Sequence, residues 1–480
     1  MFNDLREYIE QVKGLGEYRL IEGADWDVEV GLISELAVNI PEHPLVLYDK
    51  IKGYKPGYRI VTNILDSYKR LALTWGLPLD IDKPMDLVRA YRDKLREGIK
   101  PIPPEEVATG PIQENVHVGD EVDLFEFPVP KWHELDGGRY IGTGHAVITK
   151  DPDTGYINLG TYRTQAHDRN TATFHTTPAR HGELIARKYW KKGLACPVAI
   201  VCGMDPLIWS ASITELPWGM SEYDYAGWIR NEPIKVVRGE ITGLPIPATG
   251  EIALEGEIIS PEIETRMEGT FGEWEGYYGG GMRPDPVIKV QSILHRNDPI
   301  LNGAPPLVGP FDLQMGMPLT RSAILWDILD RSIQGIKGVW FIPDGRVGAM
   351  PVISIQQQYP GHAKQAALLA AGNYVASRLT RFIIIVDDDV DPSNISEVLW
   401  AISMRCDPET QIDIISGRQG MRSDPRLPPD KKKRGDQLIS TAFIYACKPY
   451  SWIDEFPPSV KSSPEVLEKV KEKWGKLLMG

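Results

Sequence analysis

The run RFIIIVDDDVD (residues 381–391) restricts the fold more than any other stretch of the chain. Its apolar residues do not alternate with polar ones, so a strand here has no face to turn to water. Such a strand lies between parallel neighbours in a sheet covered on both faces. After residue 320 helix and strand patterns alternate, which predicts a C-terminal α/β domain around it. The preceding stretch is different. Between residues 116 and 310 strands are predicted at His145–Thr149, Tyr156–Tyr162, Val198–Cys202, Ile234–Val237, Glu251–Ile258 and Val287–Leu294. Gly and Pro punctuate them, and one helix is predicted near Glu183–Lys191. That texture predicts an antiparallel barrel or sandwich with inserted helices.

At the N-terminus, Asn3 is placed to cap a helix whose Leu5, Tyr8, Ile9 and Val12 fall at i, i+3, i+4 and i+7. Strands follow at Leu45–Tyr48 and Arg59–Asn63. Helices are predicted near Ser67–Trp75, stopped by Gly76, and near Asp86–Arg96, stopped by Gly98. The Pro-rich segment at 101–115 reads as a linker. Ser463 and Pro464 open a terminal helix in which Val466, Val470, Trp474 and Leu478 repeat at i+4, a stripe that needs something to dock on. The expected plan is therefore an α/β domain over 1–115, a strand-rich domain over 116–315, a second α/β domain over 316–450 and a helical tail over 451–480.

Composition narrows the partners. The 480 residues are 42% hydrophobic and 25% charged, a globular balance. With 53 basic against 66 acidic residues the net charge is −13, which argues against nucleic-acid binding and against adhesion to anionic membranes. Cys196, Cys202, Cys406 and Cys447 are too few for a disulfide scaffold and have no CxxC spacing. No apolar run approaches the ~20 residues that span a bilayer, and the first residues lack an apolar signal core. The expectation is a reduced, cytoplasmic protein.

Three stretches carry candidate chemistry. In INLGTYRTQ, Asn158 and Arg163 face opposite ways on an ideal strand, so they serve one site only if Gly160 breaks it. In TTPARHGELIARKYW, Pro178 near a helix start puts His181 in or near the first turn, where anions are favoured; taken alone, a histidine packed under the helix is the commoner outcome. Glu222, in GMSEYDYAG, reads by itself as a solvated carboxylate. In EGTFGEWEGYY, a turn flanked by Gly269 and Gly272 can fold Glu268 and Glu273 into one pocket. Paired carboxylates beside an arginine split proton-donating and charge-holding roles. The Gly-rich GYYGGGM (276–282) lacks a following GK[ST] and reads as a turn. Asp387–Asp389 reads either as a divalent-metal site or as an acidic strand end.

Read in order, INLGTYRTQ, RHGE, SEYDYAG, IPATGEIALEG, EGTFGEWEGYY, QQYPGHAKQA, FIIIVDDDVD and VLWAISMRCDP resemble the UbiD family of prenylated-flavin-dependent decarboxylases and carboxylases. The resemblance implies a mixed α/β (α+β, multidomain) architecture. An N-terminal α/β domain precedes a flavin-reductase-like split β-barrel that binds the cofactor, and a C-terminal α/β domain with a terminal helix serves oligomerisation. It implies reversible, non-oxidative decarboxylation of an aromatic, heteroaromatic or α,β-unsaturated acid. Asn158, His181 and Glu222 match ligands of a Mn²⁺ or Mg²⁺ ion that holds the phosphate of prenylated FMN. Arg163, Glu268 and Glu273 match the catalytic network, and Arg405 matches an arginine near a monovalent ion, K⁺ or Na⁺. Where many family members carry a phosphate-side lysine this chain has Gln356 and Gln357, so either Lys364, counted among the cofactor-binding residues, or another cation compensates, or the cofactor is retained less tightly. The loop from Ser212 to Glu222 is about one residue longer than in the family, and GRQGMRSDPRLPPD (417–430) is similar to hydroxybenzoate-type members. Implied partners are a small aromatic acid, CO₂, a flavin prenyltransferase that supplies the cofactor, and copies of the chain in a homodimer or homohexamer. Two other functions stay open: a nucleotide-sugar transferase using Asp387–Asp389, and a scaffolding subunit of a multicomponent aromatic carboxylase.

Overall fold

The computed structural model describes residues 2–81, 83–177, 179–278, 281–309, 312–343, 350–376 and 380–479. Phe382–Asp387 is the middle strand of a five-stranded sheet, parallel to Pro351–Ile355 on one side and to Leu438–Ala446 on the other. Ile383, Ile384, Ile385 and Val386 are buried, as a strand enclosed on both faces requires. Ile336–Phe341 and Ile412–Gln419 close the sheet with antiparallel edges. Helices Asp312–Ser332, His362–Ala371 and Ile395–Arg405 pack on its strands.

The acids ending the middle strand are paired. Helix Ile395–Arg405 finishes above them, and Arg405 lies 2.9 Å from Asp387 and 2.7 Å from Asp389. Lys448 adds a second cation 3.0 Å from Asp389, and the Gln357 amide donates to Asp387 at 2.9 Å. Burial pushes the Asp389 carboxyl up, but Arg405 and Lys448 outweigh it and hold the group at about 2. The transferase reading thereby loses the open carboxylate pair it needs at Asp387 and Asp389. Lys364 sits on an exposed face, 2.9 Å from Asp413.

The N-terminal sheet runs Tyr18–Glu22, Leu45–Asp49, Arg59–Thr62, with Ile300–Asn302 as a fourth strand from far along the chain. Its first helix, Leu5–Gly14, is capped by Asp4, which accepts from the Glu7 N–H at 2.8 Å. The expected cap, Asn3, instead donates to the Glu7 carboxylate. Helix Tyr68–Trp75 starts at the Ser67 cap and stops at Gly76, whose φ of +62° suits glycine. Tyr8 and Trp75 share one hydrophobic core with Val339 and Ile384 of the C-terminal sheet.

Between these lies a ten-stranded antiparallel sheet curled into a half-barrel, with Arg139–Gly142 and Ile157–Gly160 at the two ends of the strand order. Its spine is Arg283–His295, which pairs with Ile252–Ile258, Thr171–Thr173, Thr265–Glu268 and Asn115–Val118. A second core, including Ile141, Tyr162, Phe174, Val198 and Leu254, packs against it. The strand expected over Tyr156–Tyr162 is shorter, Ile157–Gly160, and helix His181–Lys191 begins two residues before the expected start. Pro178 and the central glycines of GYYGGGM, Gly279 and Gly280, lie outside the described residues.

The terminal helix Pro464–Met479 forms as expected, and on its stripe Val466, Val470 and Trp474 remain 52%, 47% and 47% exposed. The side chain of Leu478 lies outside the described residues. Among the described residues no helix is long and apolar enough to cross a membrane. Replacing Arg405 with Met leaves the buried Asp387 short of its closest cation. The expected loss is about 3 kcal/mol of unfolding free energy, read by urea unfolding; a change within ~0.5 kcal/mol would mean that the pair does not anchor this strand end.

Candidate active site

Strand Ile157–Gly160 ends because the chain must turn there. A Cβ on Gly160 would lie 2.4 Å from the Tyr162 ring, and one on Gly182 would lie 2.6 Å from the same ring. Only glycine at both positions lets Tyr162 fold back between the strand end and helix His181–Lys191. From there the Tyr162 hydroxyl donates to Asn158 Oδ1 at 3.0 Å and accepts from the Gly182 N–H at 2.8 Å. The buried His145 accompanies the turn, its Nε2 lying 2.9 Å from the Tyr162 carbonyl oxygen.

His181 and Glu222 each occupy the first position of a helix, His181–Lys191 and Glu222–Arg230. Glu222 is buried; its Oε2 accepts from the Leu159 N–H at 2.7 Å and its Oε1 from the Asn158 amide at 3.1 Å. Burial pushes its carboxyl up to about 8, the backbone and amide donors offsetting only part of the cost. His181 Nδ1 lies 3.2 Å from the Tyr156 hydroxyl. Burial, with Arg180 next to it, lowers its pKa and keeps the imidazole neutral. Asn158, His181 and Glu222 all line one cavity of about 560 Å³, which also meets Arg180, Trp218 and Trp274. The set offers an amide oxygen, a neutral imidazole nitrogen and a carboxyl group, and among the described residues no lysine or arginine forms an ion pair with that buried carboxyl. This donor set fits a divalent ion of the Mn²⁺ or Mg²⁺ kind, which would hold Glu222 ionised.

One residue past Tyr162, Arg163 lies outside the lining of that cavity. Its Nε and Nη2 donate to the two oxygens of Glu268 at 2.8 and 3.0 Å, a bidentate fork, and its Nη1 donates to Glu273 at 3.0 Å. The guanidinium carbon stands 4.4 Å from the centre of the Phe271 ring. His175 Nδ1 lies 2.8 Å from Glu268 and 2.6 Å from Asp285, while its Nε2 lies 3.2 Å from Arg163. An Nδ1–H tautomer satisfies all three contacts. Burial pushes the Glu268 carboxyl up, but His175 and Arg163 outweigh it and hold the group far below the usual carboxylate range.

Gly160 ends the strand between Asn158 and Arg163, and of the two only Asn158 lines the cavity. Arg163, Glu268 and Glu273 do not themselves line the cavity; their chain neighbours Tyr162 and Trp274 do. Arg405 and Lys364 are not among its lining residues either, since Asp387, Asp389 and Asp413 hold them elsewhere. The lining cations are Arg180 and Arg321. Sequence reasoning passed over Tyr162 and His175. The first sat inside the INLGTYRTQ stretch already singled out, and the second carried no spacing signal because its carboxylate partners are more than ninety residues away.

The fold and these two side-chain groups define a carboxy-lyase. Family models described as the 3-octaprenyl-4-hydroxybenzoate carboxy-lyase Rift-related domain and the corresponding C-terminal domain match residues 105–308 and 314–442. The chain belongs to the UbiD family. It is 32% identical over 448 residues to a pyrrole-2-carboxylic acid decarboxylase of Pseudomonas aeruginosa, covering 90% of this chain and 89% of the relative. It is 30% identical to a phenolic acid decarboxylase of Sedimentibacter hydroxybenzoicus, covering 89% of each. Among solved structures, the open form of S. hydroxybenzoicus vanillic acid decarboxylase superposes with a TM-score of 0.85 at 27% identity, covering 100% of both chains. The UbiD-class enzyme HmfF of Pelotomaculum thermopropionicum, solved with FMN, gives 0.84 at 25% identity, covering 97% of this chain and 98% of that one.

The buried Glu222 makes the metal-free protein sensitive to pH. Its folded pKa of about 8 exceeds the ordinary value of 4.5, so between the two the folded chain keeps a proton that the unfolded chain has released. Stability of chelator-treated protein should therefore fall as pH rises through this window, by up to ~5 kcal/mol. Urea unfolding across the window should give a flatter profile for Glu222→Gln; equal slopes for both proteins would rule out Glu222 as the source.

Proposed function

We propose that this chain is a prenylated-FMN-dependent decarboxylase, acting reversibly and without net oxidation on an aromatic, heteroaromatic or α,β-unsaturated carboxylic acid. The observation that carries the reading is the Arg163 fork between two unequal carboxylates. Losing CO₂ from an sp² carbon leaves an electron pair that no side chain can accept, and the bound prenylated flavin supplies that electron sink. The chain's own residues have two remaining tasks: to hold charge and to move a proton.

Glu268 is fully buried, held bidentately by Arg163 and backed by His175, which suits a fixed negative charge. Glu273 is held by a single Arg163 N–H and its side chain is 17% exposed, so it is the carboxyl with room to exchange a proton. We assign Glu273 as the acid that protonates the substrate carbon, and Arg163 as the cation that orients the substrate carboxylate and keeps the two acids apart. Asn158, His181 and Glu222 would hold a Mn²⁺ or Mg²⁺ ion that in turn holds the cofactor phosphate. Arg180, at the amino end of helix His181–Lys191, adds positive charge to the same cavity wall. A K⁺ or Na⁺ ion beside Arg405 forms no part of this assignment, because Asp387 and Asp389 already engage that guanidinium.

The four free cysteines accord with a cytoplasmic enzyme receiving its cofactor from a flavin prenyltransferase. The half-exposed stripe of the terminal helix supports a homodimer or homohexamer. Intact catalytic carboxylates favour an enzyme over a scaffolding subunit.

Replacing His181 with Ala should lower bound flavin and Mn²⁺ together, measured by absorbance and metal analysis of the purified protein. Loss of metal with normal flavin occupancy would remove the bridging role. Glu273→Gln should fold and keep its cofactor but lose ~10²–10⁴-fold in turnover. Deuterium exchange from solvent into the product's ipso carbon should fall in parallel. Near-normal turnover with cofactor retained would exclude Glu273 as the donor.

A further inference from the structure

A second group of metal-competent side chains sits at the other end of the half-barrel's spine strand. In the pairing of Arg283–His295 with Asn115–Val118, His117 lies opposite Ile293, so His117 and His295 are diagonal neighbours on one face. Their rings stand 5.2 Å apart, nearly perpendicular. The short turn Leu124–Glu126 brings Glu126 to them, its Oε2 3.1 Å from His117 Nδ1. One donor atom from each of His117, Glu126 and His295 lies within 4.8 Å of the other two.

The surroundings of this group are those of metal ligands. His295 is 3% exposed, and its Nδ1 lies 2.8 Å from the Arg296 carbonyl oxygen. That contact makes Nδ1 the protonated nitrogen and leaves a lone pair on Nε2, which is buried with no hydrogen-bond partner. His117 Nδ1 is likewise buried without a hydrogen bond. On the Glu126 side, Oε1 accepts from the Tyr58 hydroxyl at 2.8 Å, which leaves Oε2 turned toward the histidines. A histidine locked by a backbone carbonyl and a carboxylate locked by a hydroxyl are the outer contacts that orient ligands around a metal.

The contrast with His175, Glu268 and Asp285, which are equally close together, is instructive. There Arg163 and Arg283 already neutralise the carboxylates. Among the described residues no lysine or arginine forms an ion pair with Glu126. Its negative charge and two adjacent imidazoles are the complement of a divalent cation.

We propose that His117, Glu126 and His295 form a binding site for a zinc-class divalent cation. Two imidazole nitrogens and one carboxylate oxygen are a donor set that zinc accepts, with water completing the shell on the partly exposed His117 side. Roughly 30 Å of strand, at ~3.3 Å per residue, separates His295 from Asp285 beside the Arg163 network. The cation therefore acts on stability: it ties the strand Asn115–Val118 and the turn Leu124–Glu126 to the spine.

The test uses full-length His181→Ala protein, so that the Asn158–His181–Glu222 set does not compete. After chelation and dialysis, this protein should take up one equivalent of Zn²⁺, give a visible d–d absorption band with Co²⁺ in its place, and gain thermal stability as Zn²⁺ is added. Adding His117→Ala should weaken binding by more than the ~10–100-fold that losing an outer contact costs, and abolish both signals. Glu126→Gln, which preserves shape, should do the same and replaces His117→Ala if that variant does not fold. In the otherwise native enzyme, His117→Ala should leave the decarboxylation rate unchanged. Absence of Zn²⁺ uptake in His181→Ala protein, or uptake unaffected by a folded His117→Ala or Glu126→Gln variant, overturns the proposal and leaves the three residues as neighbours without a shared ion.

Discussion

The fold of Tyr162 onto Gly160 and Gly182 is the contact on which both halves of the site depend. It ends one strand and fixes the amino end of a helix. Asn158 precedes the turn, Arg163 follows it, and His181 is the neighbour of the glycine on the far side. A methyl group at either glycine would overlap the ring. The phenol's hydroxyl also bonds to both sides of the turn.

Two buried carboxylates then show how one barrel assigns opposite charge states. Both Glu222 and Glu268 are out of water, and burial alone raises the pKa of each. At Glu268 the guanidinium of Arg163 and the imidazole of His175 reverse the effect and keep the group ionised. At Glu222 the available donors are an amide and a backbone N–H, which are too weak to do so. The first environment is complete within the chain. The second has no cation partner among the described residues, and that accords with the metal-ligand role proposed for it.

The C-terminal sheet supplies a similar lesson in charge. A row of aspartates at a strand end resembles a metal site as long as only its own strand is considered. Arg405, Lys448 and Gln357 arrive from three other segments and consume its capacity. The same convergence withdraws Arg405 from the cavity. Lys364 is withdrawn for a simpler reason: it lies on the outer face of helix His362–Ala371, next to Asp413. Cations that line the cavity come instead from Arg180, inside the RHGE stretch, and from Arg321.

Periodicity by itself determined the buried middle strand at 382–387, the amphipathic helices with their caps and glycine stops, and the strand-rich texture of the central region. These features follow from local rules, since burial of a strand or one helical face is written in consecutive residues. Helix starts and strand ends were off by one to four residues, the spine strand starting at Arg283 rather than Val287, and the first helix is capped by Asp4 rather than Asn3. The ordered motifs also carried the family, and with it the residue types of the site. Only the tertiary structure decided which carboxylates are neutralised, that His175 joins Glu268 to Asp285, and that His117, Glu126 and His295 meet. Those outcomes depend on contacts between segments up to about 180 residues apart, and electrostatic energy is set by distance in space rather than along the chain.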